Sequence, residues 1–473
     1  MRKNILIIGA LLVLLPVLSA QNRDGLYIIR KQTRISSGLD EAGAVPYKDD
    51  IVYISEATSV GASSPRDSRG RRLFTMFQVT PGSGQKKQFI DQLVSQGHEG
   101  PVTFTADYKT MVFAQQRPAD GNRGSDPLGL YFAENTNEEW GNITAFEHND
   151  PGAWLFSPAL SGDGKTLFVS SNMDGGEGGF DLYVSHKEGG GWSKPENLGA
   201  AVNSAEHEIY PFIHSSGRLL YSSNGFDNGR DGYDLFESFY ADGKWQGAEK
   251  LQEPFNTRSN DYHVWFSEDM KSGYLTSDRQ GGSKDIFNVE TTMPTFEKVD
   301  PIKKTYYKYR IYDRKLDTVD TNLFSYSWTI NDTLTIPGHN IIYRFPEPGT
   351  YVCKLNVYDI QLDTLVEGQT VKTLNINLKE QAVITCPDTI QAGVPVEFDA
   401  SQTFLPGFDV GRYTWDFGAE EGVTRFAEGL IVTHTYNHSG NFKVILGVEE
   451  RKQDRRHVPE VRANFKEVVV VSD

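Results

Sequence analysis

The stretch Leu167–Trp192, LFVSSNMDGGEGGFDLYVSHKEGGGW, decides how this chain is read. It sets a glycine-rich acidic loop between two short β-like runs. Such a loop can ligate a metal, cradle a phosphate or only turn the chain. The stretch recurs at Leu219–Trp245, LLYSSNGFDNGRDGYDLFESFYADGKW. Phe180-Asp181-Leu182-Tyr183 becomes Tyr233-Asp234-Leu235-Phe236 at an offset of 53, and Trp192 becomes Trp245 at the same offset. A weaker copy, GYLTSDRQGGSKDIFNV, spans Gly273–Val289 with Asp285-Ile286-Phe287 in the corresponding place.

Each copy follows another strand-like segment through a tight link such as Ser-Gly-Asp-Gly, which reads as a hairpin. Upstream, VTFTADYKTMVFAQQ with GLYFAENTNEEW, and AVPYKDDIVYISE with RRLFTMFQV, are further, more divergent copies. Five units at roughly fifty-residue spacing between Gly43 and about Val299 form a propeller signature, because no unit can bury both its faces alone. The expected fold is therefore all-β, with a propeller over residues 21–299. Five blades are expected, or six if the end segments form one together. GLYIIRKQTRI, Gly25–Ile35, looks like a strand without its own blade and is expected to complete the last one.

In that frame the acidic loop is a blade loop. Asp181, Asp234 and Asp285 each precede a strand and are expected to accept hydrogen bonds from loop N–H groups. The functional alternative is calcium, held by Asp174, Glu177 and Asp181 or by Asp227, Asp231 and Asp234. Neither loop has a full EF-hand pattern, and the third copy keeps only Asp278 and Asp285. No Gly-Lys-Ser/Thr ending supports phosphate. No other cofactor or metal is expected. The pattern P-x-hydrophobic, then G-x-x-[LF]-hydrophobic-S-S, then G-G-x-D-[LI]-[YF] resembles the WD40-like, TolB-type propeller repeat. That resemblance implies a binding platform.

Past about Asp300 the repeat stops. YSWTINDTLTIPGHNIIYRFPEPGTYVCKLNVYD (Tyr326–Asp359) is matched by YTWDFGAEEGVTRFAEGLIVTHTYNHSGNFKVILGVEE (Tyr413–Glu450). AGVPVEFDAS, YTWDFG, HTY and SGNFKVIL make the second copy resemble the PKD domain, an immunoglobulin-like sandwich. The first departs from it, with Trp328-Thr329-Ile330 in place of Trp-Asp-Phe-Gly. Two PKD-type β-sandwiches are expected, over 300–378 and 379–473, with Trp328 and Trp415 in their cores. The two cysteines, Cys353 and Cys386, fall in different modules. An exported chain permits a disulfide between them only if the geometry allows it.

Residues 1–20 have the layout of a signal peptide: Arg2 and Lys3, an apolar run from Ile5 to Leu18, then Ser19-Ala20. Its removal would take the net charge from −16 to −18, since it carries two basic residues and no acidic one. A chain this acidic is a poor candidate for nucleic acid, and no other long apolar segment suggests a membrane span. A propeller followed by PKD-like modules behind a signal peptide resembles envelope proteins of Bacteroidetes that accompany type IX secretion and gliding machines. The resemblance implies a periplasmic or outer-membrane-associated place and a protein complex as partner. It also draws attention to Thr318, Thr333, Thr364 and Thr389, each in an Asp-Thr-aliphatic triplet resembling that phylum's O-glycosylation site.

Catalysis has little footing in the sequence. The histidines show no HExxH and no triad order, and Glu206-His207-Glu208 with His214 is the one acidic-histidine cluster. Arg218, Arg230, Arg258 and Arg279 form no recognisable carboxylate clamp. The expected function is a non-enzymatic scaffold or accessory subunit of an envelope complex. The alternative is a glycan-binding or polysaccharide-processing propeller, a hydrolase among its possibilities.

Overall fold

The computed structural model describes residues 26–56, 66, 70–90, 97–116, 127–226, 232–241, 243–296, 299–302, 307–314, 321–366, 370–454 and 456–472. The signal-peptide segment 1–20, Asp227, Arg230, Asp231 and Thr318 lie outside them. The described fold is all-β, with the 3-10 segment Ala419–Thr424 its one named helical element. The chain divides into two compact units, residues 1–293 with Phe417–Glu428, and residues 294–416 with 429–473.

The first unit contains five antiparallel sheets whose described strands follow the sequence repeat. Their first strands are Glu41–Tyr47, Glu99–Phe104, Leu155–Leu160, Glu208–Ile213 and Asp261–Phe266. The second strands are Asp50–Glu56, Thr110–Gln116, Thr166–Ser171, Arg218–Ser223 and Ser272–Ser277. The third strands are Phe74–Val79, Leu128–Thr136, Asp181–Glu188, Asp234–Ala241 and Asp285–Thr291. In the fifth sheet the fourth position is taken by Tyr27–Lys31, paired from Tyr27↔Thr291 to Lys31↔Phe287. This is the completing role expected of the N-terminal strand.

The second strands read as near-continuous apolar runs because both their faces are covered. Leu167-Phe168-Val169 and Leu219-Leu220-Tyr221 are all buried, each run contributing to clusters shared with neighbouring sheets. First strands pack on one another in sequence order, and the fifth packs against the first. The Ser-Ser ending of the motif has a specific use. The hydroxyls of Ser170 and Ser222 donate to the backbone carbonyls of Glu208 and Asp261 in the next sheet. Thr276, at the equivalent place in the fifth sheet, accepts from the Gly43 N–H of the first, at 3.2 Å.

In the second unit, Lys308–Tyr312 pairs with Asn340–Arg344, and Phe324–Ile330 runs between Leu334–Pro337 and Gly349–Asp359. Trp328, Ile330, Phe345, Cys353 and Leu355 share their core. Further along, Val396–Asp399 pairs with Ile431–His434, and Gly440–Glu450 lies between Val410–Asp416 and Val461–Val471. Trp328 and Trp415 are fully buried in their respective cores, and each indole N–H donates to a backbone carbonyl, of His339 and of Gly429. The Cys353–Cys386 disulfide does not form: both thiols are free. Cys353 is sealed among the side chains of one core, whereas Cys386 is half-buried where Lys466 Nζ donates to its backbone carbonyl. Burial pushes both thiols up.

Candidate functional site

The first strands of all five sheets line one cavity of about 680 Å³. Every one of these strands slips register near its start, between Ala42 and Val45, Glu99 and Val102, Phe156 and Ala159, Ile209 and Phe212, and Asp261 and His263. Such bulges re-aim side chains. Gly43, Ser157 and Tyr210 sit in them with φ of 63°, 51° and 53°, a region that costs a residue with a Cβ.

Just before the bulge, four sheets place a buried acid: Glu41, Glu99, Glu208 and Asp261. All four carboxylates are held by their own chain. Ser37 donates to Glu41 and Ser204 to Glu208, each through backbone N–H and hydroxyl, and Thr257 does the same to Asp261. Thr75 Oγ1 and the Met76 N–H donate to Glu99, and Arg279 ion-pairs with Asp261 at 2.6 Å. Burial raises the carboxyls of Glu41 and Glu208, with the serine hydrogen bonds pulling the other way. The Ser/Thr-x-x-x-acid spacing is legible in the sequence, but the blade repeat alone does not single it out. The same holds for Asn149, Asn203 and Asn256, whose amides bridge the N–H and C=O of Leu130, Leu182 and Leu235.

The acidic glycine loop borders this region. Asp181 is buried and accepts from the N–H groups of Glu177 and Gly178 and from Asn197 Nδ2. Asp234 and Asp285 are buried as well, and among the described residues each pairs with a lysine: Lys250 at 2.8 Å and Lys31 at 2.6 Å. Asp174 and Glu177 are exposed while Asp181 turns inward. Among the described residues no group of three or more His, Cys, Asp or Glu side chains could hold a metal ion. The glycines serve close approach: a Cβ on Gly178 would run into the Ser204 carbonyl, and one on Gly179 into the His207 ring. Gly178→Ala is expected to destabilise the first unit by about 1–3 kcal/mol, read from urea unfolding.

The His207 cluster is a clamp between sheets. Its Nδ1 accepts from the Phe180 N–H at 3.0 Å, and Asn224 Oδ1 takes its N–H. Arg279 also donates to the carbonyls of Pro254 and Phe255, and Arg218 is buried in the fourth sheet. Trp140, Trp192 and Trp245 pack on rings of the sheets: Trp140 on Phe104, Trp192 on Phe132, Trp245 on Phe168. The three described glycosylation candidates, Thr333, Thr364 and Thr389, are exposed.

A second cavity, about 520 Å³, opens where the first strands begin. Arg66, Arg71, Arg72 and Lys284 surround it over an apolar floor that includes Trp154 and Phe156. Its acids have chain partners: Glu56 pairs with Arg72 at 3.2 Å, Asp40 accepts the Lys284 N–H, and Glu99 is held as above. Pro101 and Tyr210 line both cavities. Sequence reasoning missed this pair of cavities, because residues from all five repeats meet only once the sheets are assembled.

His263 lies in the larger cavity, and burial pushes its imidazole down to about 4 from 6.5. Between those values the unfolded chain binds a proton that the folded chain does not. Its contribution to stability is therefore present above pH 6.5 and is lost as pH falls through about 4. Wild type is expected to lose stability more steeply over that range than His263→Gln, measured by urea unfolding at stepped pH.

Comparison with known proteins fits the C-terminal reading: residues 377–463 match the PKD domain family. No curated protein matches the chain in sequence. Among solved structures, puromycin hydrolase is similar at 11% identity and TM-score 0.33, over 68% of this chain and 43% of its own. An oligogalacturonate lyase in complex with manganese is similar at 15% identity and TM-score 0.30, over 53% of this chain and 66% of its own. The endo-arabinase from Bacteroides thetaiotaomicron is similar at 10% identity and TM-score 0.34, over 55% of this chain and 96% of its own. This chain thus spans less than half the length of the puromycin hydrolase. It is an all-β protein with a propeller-like unit and a PKD domain towards its C-terminus.

Proposed function

We propose that this protein is a non-enzymatic binding platform of the cell envelope, which docks an acidic segment of a protein partner at the arginine-rich mouth. The carrying observation is that mouth: Arg66, Arg71 and Lys284, with Arg72 paired to Glu56 beside them, around Trp154 and Phe156, in a chain whose net charge is −16. Guanidinium groups pair carboxylates through two hydrogen bonds, and a local reversal of charge steers an acidic partner to one spot. The buried acids of the first strands are engaged by their own chain, which supports binding over acid–base chemistry. The platform is read as a five-bladed ring over 21–299, supported by the five sheets and by the Tyr27–Lys31 strand pairing with the last of them. Residues 300–378 and 379–473 form two PKD-type sandwiches, supported by the equivalent buried Trp328 and Trp415. The signal-peptide layout of residues 1–20 supports export to the periplasm or the outer membrane.

The test is affinity purification of the tagged full chain from cross-linked native envelopes, beside the variant Arg71→Glu/Arg72→Glu. Wild type is expected to recover a stoichiometric envelope protein that the variant loses and that added salt releases. Equal recovery by both, or the chain recovered alone, would overturn the reading.

A further inference from the structure

The larger cavity differs in chemistry from the arginine-rich mouth. Its lining residues include no lysine or arginine. Phe104, Tyr108, Phe212 and Trp265 give it aromatic walls. The Phe212 and Trp265 rings lie 6.1 Å apart, and Trp265 is braced from behind by Tyr274, stacked at 5.9 Å.

Two polar atoms in this lining have no hydrogen-bond partner among the described residues, Ser157 Oγ and His263 Nδ1. Their residues are 2% and 6% exposed. A buried polar atom left unpaired is costly, and natural structures keep few of them without a use. Ser157 is held besides in a left-handed conformation at its bulge, where Gly43 occupies the matching position of the first sheet without penalty. Tyr210, at the matching position of the fourth sheet and also left-handed, separates this cavity from the other mouth. Backbone strain at two aligned bulges, at Ser157 and Tyr210, both of which line the cavity, fits a ligand site.

We propose that this cavity binds a neutral saccharide, with sugar hydroxyls at Ser157 Oγ and His263 Nδ1 and a ring face against the aromatic wall. Sugar hydroxyls both donate and accept, so they can serve either atom, whereas an anion only accepts and an ammonium only donates. Anionic ligands find no cation in the lining, and its volume of about 680 Å³ suits a small oligosaccharide. Burial keeps His263 neutral, so both atoms interact as uncharged partners. The site is separate from the proposed partner-docking mouth, and either can fail without the other.

The full chain is titrated by calorimetry with neutral cello-, xylo-, malto- and arabino-oligosaccharides of two to six units, with cadaverine and glutamate as charged probes. At least one oligosaccharide is expected to bind, and Ser157→Gly is expected to weaken it about tenfold, the size of one lost hydrogen bond. Glycine suits the φ of 51° at this position, so that variant should fold at least as well as wild type. His263→Gln should weaken binding similarly, and Arg71→Glu/Arg72→Glu should leave it unchanged. Binding of no oligosaccharide, binding indifferent to Ser157→Gly and His263→Gln, or preference for a charged probe would each overturn the proposal.

Discussion

Arg218→Met is expected to destabilise the first unit by about 3–5 kcal/mol, the cost of leaving buried charges without their counter-ion. Arg218 opens the second strand of the fourth sheet and is 1% exposed. Its guanidinium lies 3.7 Å from Glu237 Oε2 and 3.9 Å from Glu421 Oε2, both carboxylates being buried, and 5.0 Å from the centre of the Phe239 ring. Gly422 completes the enclosure, since a Cβ there would overlap the Arg218 side chain. Methionine keeps the length of the stem and removes the guanidinium group, so the loss combines the stranded charges with the small space the guanidinium filled. Equilibrium urea unfolding followed by near-UV circular dichroism would measure it. A triple variant, Arg218→Met with Glu237→Leu and Glu421→Leu, should recover much of the loss, because buried ion clusters are often no more stable than apolar replacements of similar volume. A single variant within about 1 kcal/mol of wild type would mean that the cluster is solvated and behaves as a surface pair.

Arg218 also illustrates where sequence reading stops. LLYSS and LFVSS could be read as second strands of blades, because apolar runs of that length ending in paired serines repeat at a fixed offset. The arginine ahead of LLYSS carried no such mark. Its partner Glu421 lies some two hundred positions later, within another motif, and no local period links residues that far apart. For the same reason the fold was more legible than the site. Asp181 could be placed as a loop acceptor from its neighbours alone, since Glu177 and Gly178 are within four residues of it. Asp285 looked like Asp181 in the repeat, yet it faces Lys31, a residue 254 positions away that the loop pattern did not contain. Ser157, Tyr210 and His263 come from three repeats and meet only around the common cavity. The bulge at Ser157 and Tyr210 leaves no signature beyond a following proline, Pro158 or Pro211, which reads equally well as a strand edge. The sandwich cores were easier: a Trp at the same place in two alternating strands has little to do in such a fold except fill the space between sheets.

Lys31→Met should cost about 3 kcal/mol, near the lower end for a broken buried pair, because Lys31 keeps a quarter of its side chain in water while Asp285 keeps none. The ammonium sits 2.6 Å from Asp285 Oδ2, across 254 residues of chain. The carboxylate's other oxygen has no hydrogen-bond partner among the described residues, so losing the lysine strands it. Adding Asp285→Asn should return most of the stability, since a neutral amide replaces the stranded charge. Lys250 and Asp234 provide the matched comparison, a lysine 2.8 Å from the equivalent aspartate but only 16 residues away and within one sheet. Lys250→Met should lower stability by less, because Asp234 keeps further interactions, and should speed amide hydrogen exchange locally, in Asp234–Ala241 and its neighbours. Lys31→Met should instead speed exchange on both sides of the closure. Tyr27–Lys31 is the fourth strand of the last sheet, and the first strand of the first sheet packs against that sheet. Protection should therefore fall in Asp285–Thr291 and also in Glu41–Tyr47, more than two hundred residues upstream. If exchange rises only within Tyr27–Lys31 itself, the strand is an ornament on the last sheet and the ring is held by the packing of its first strands alone.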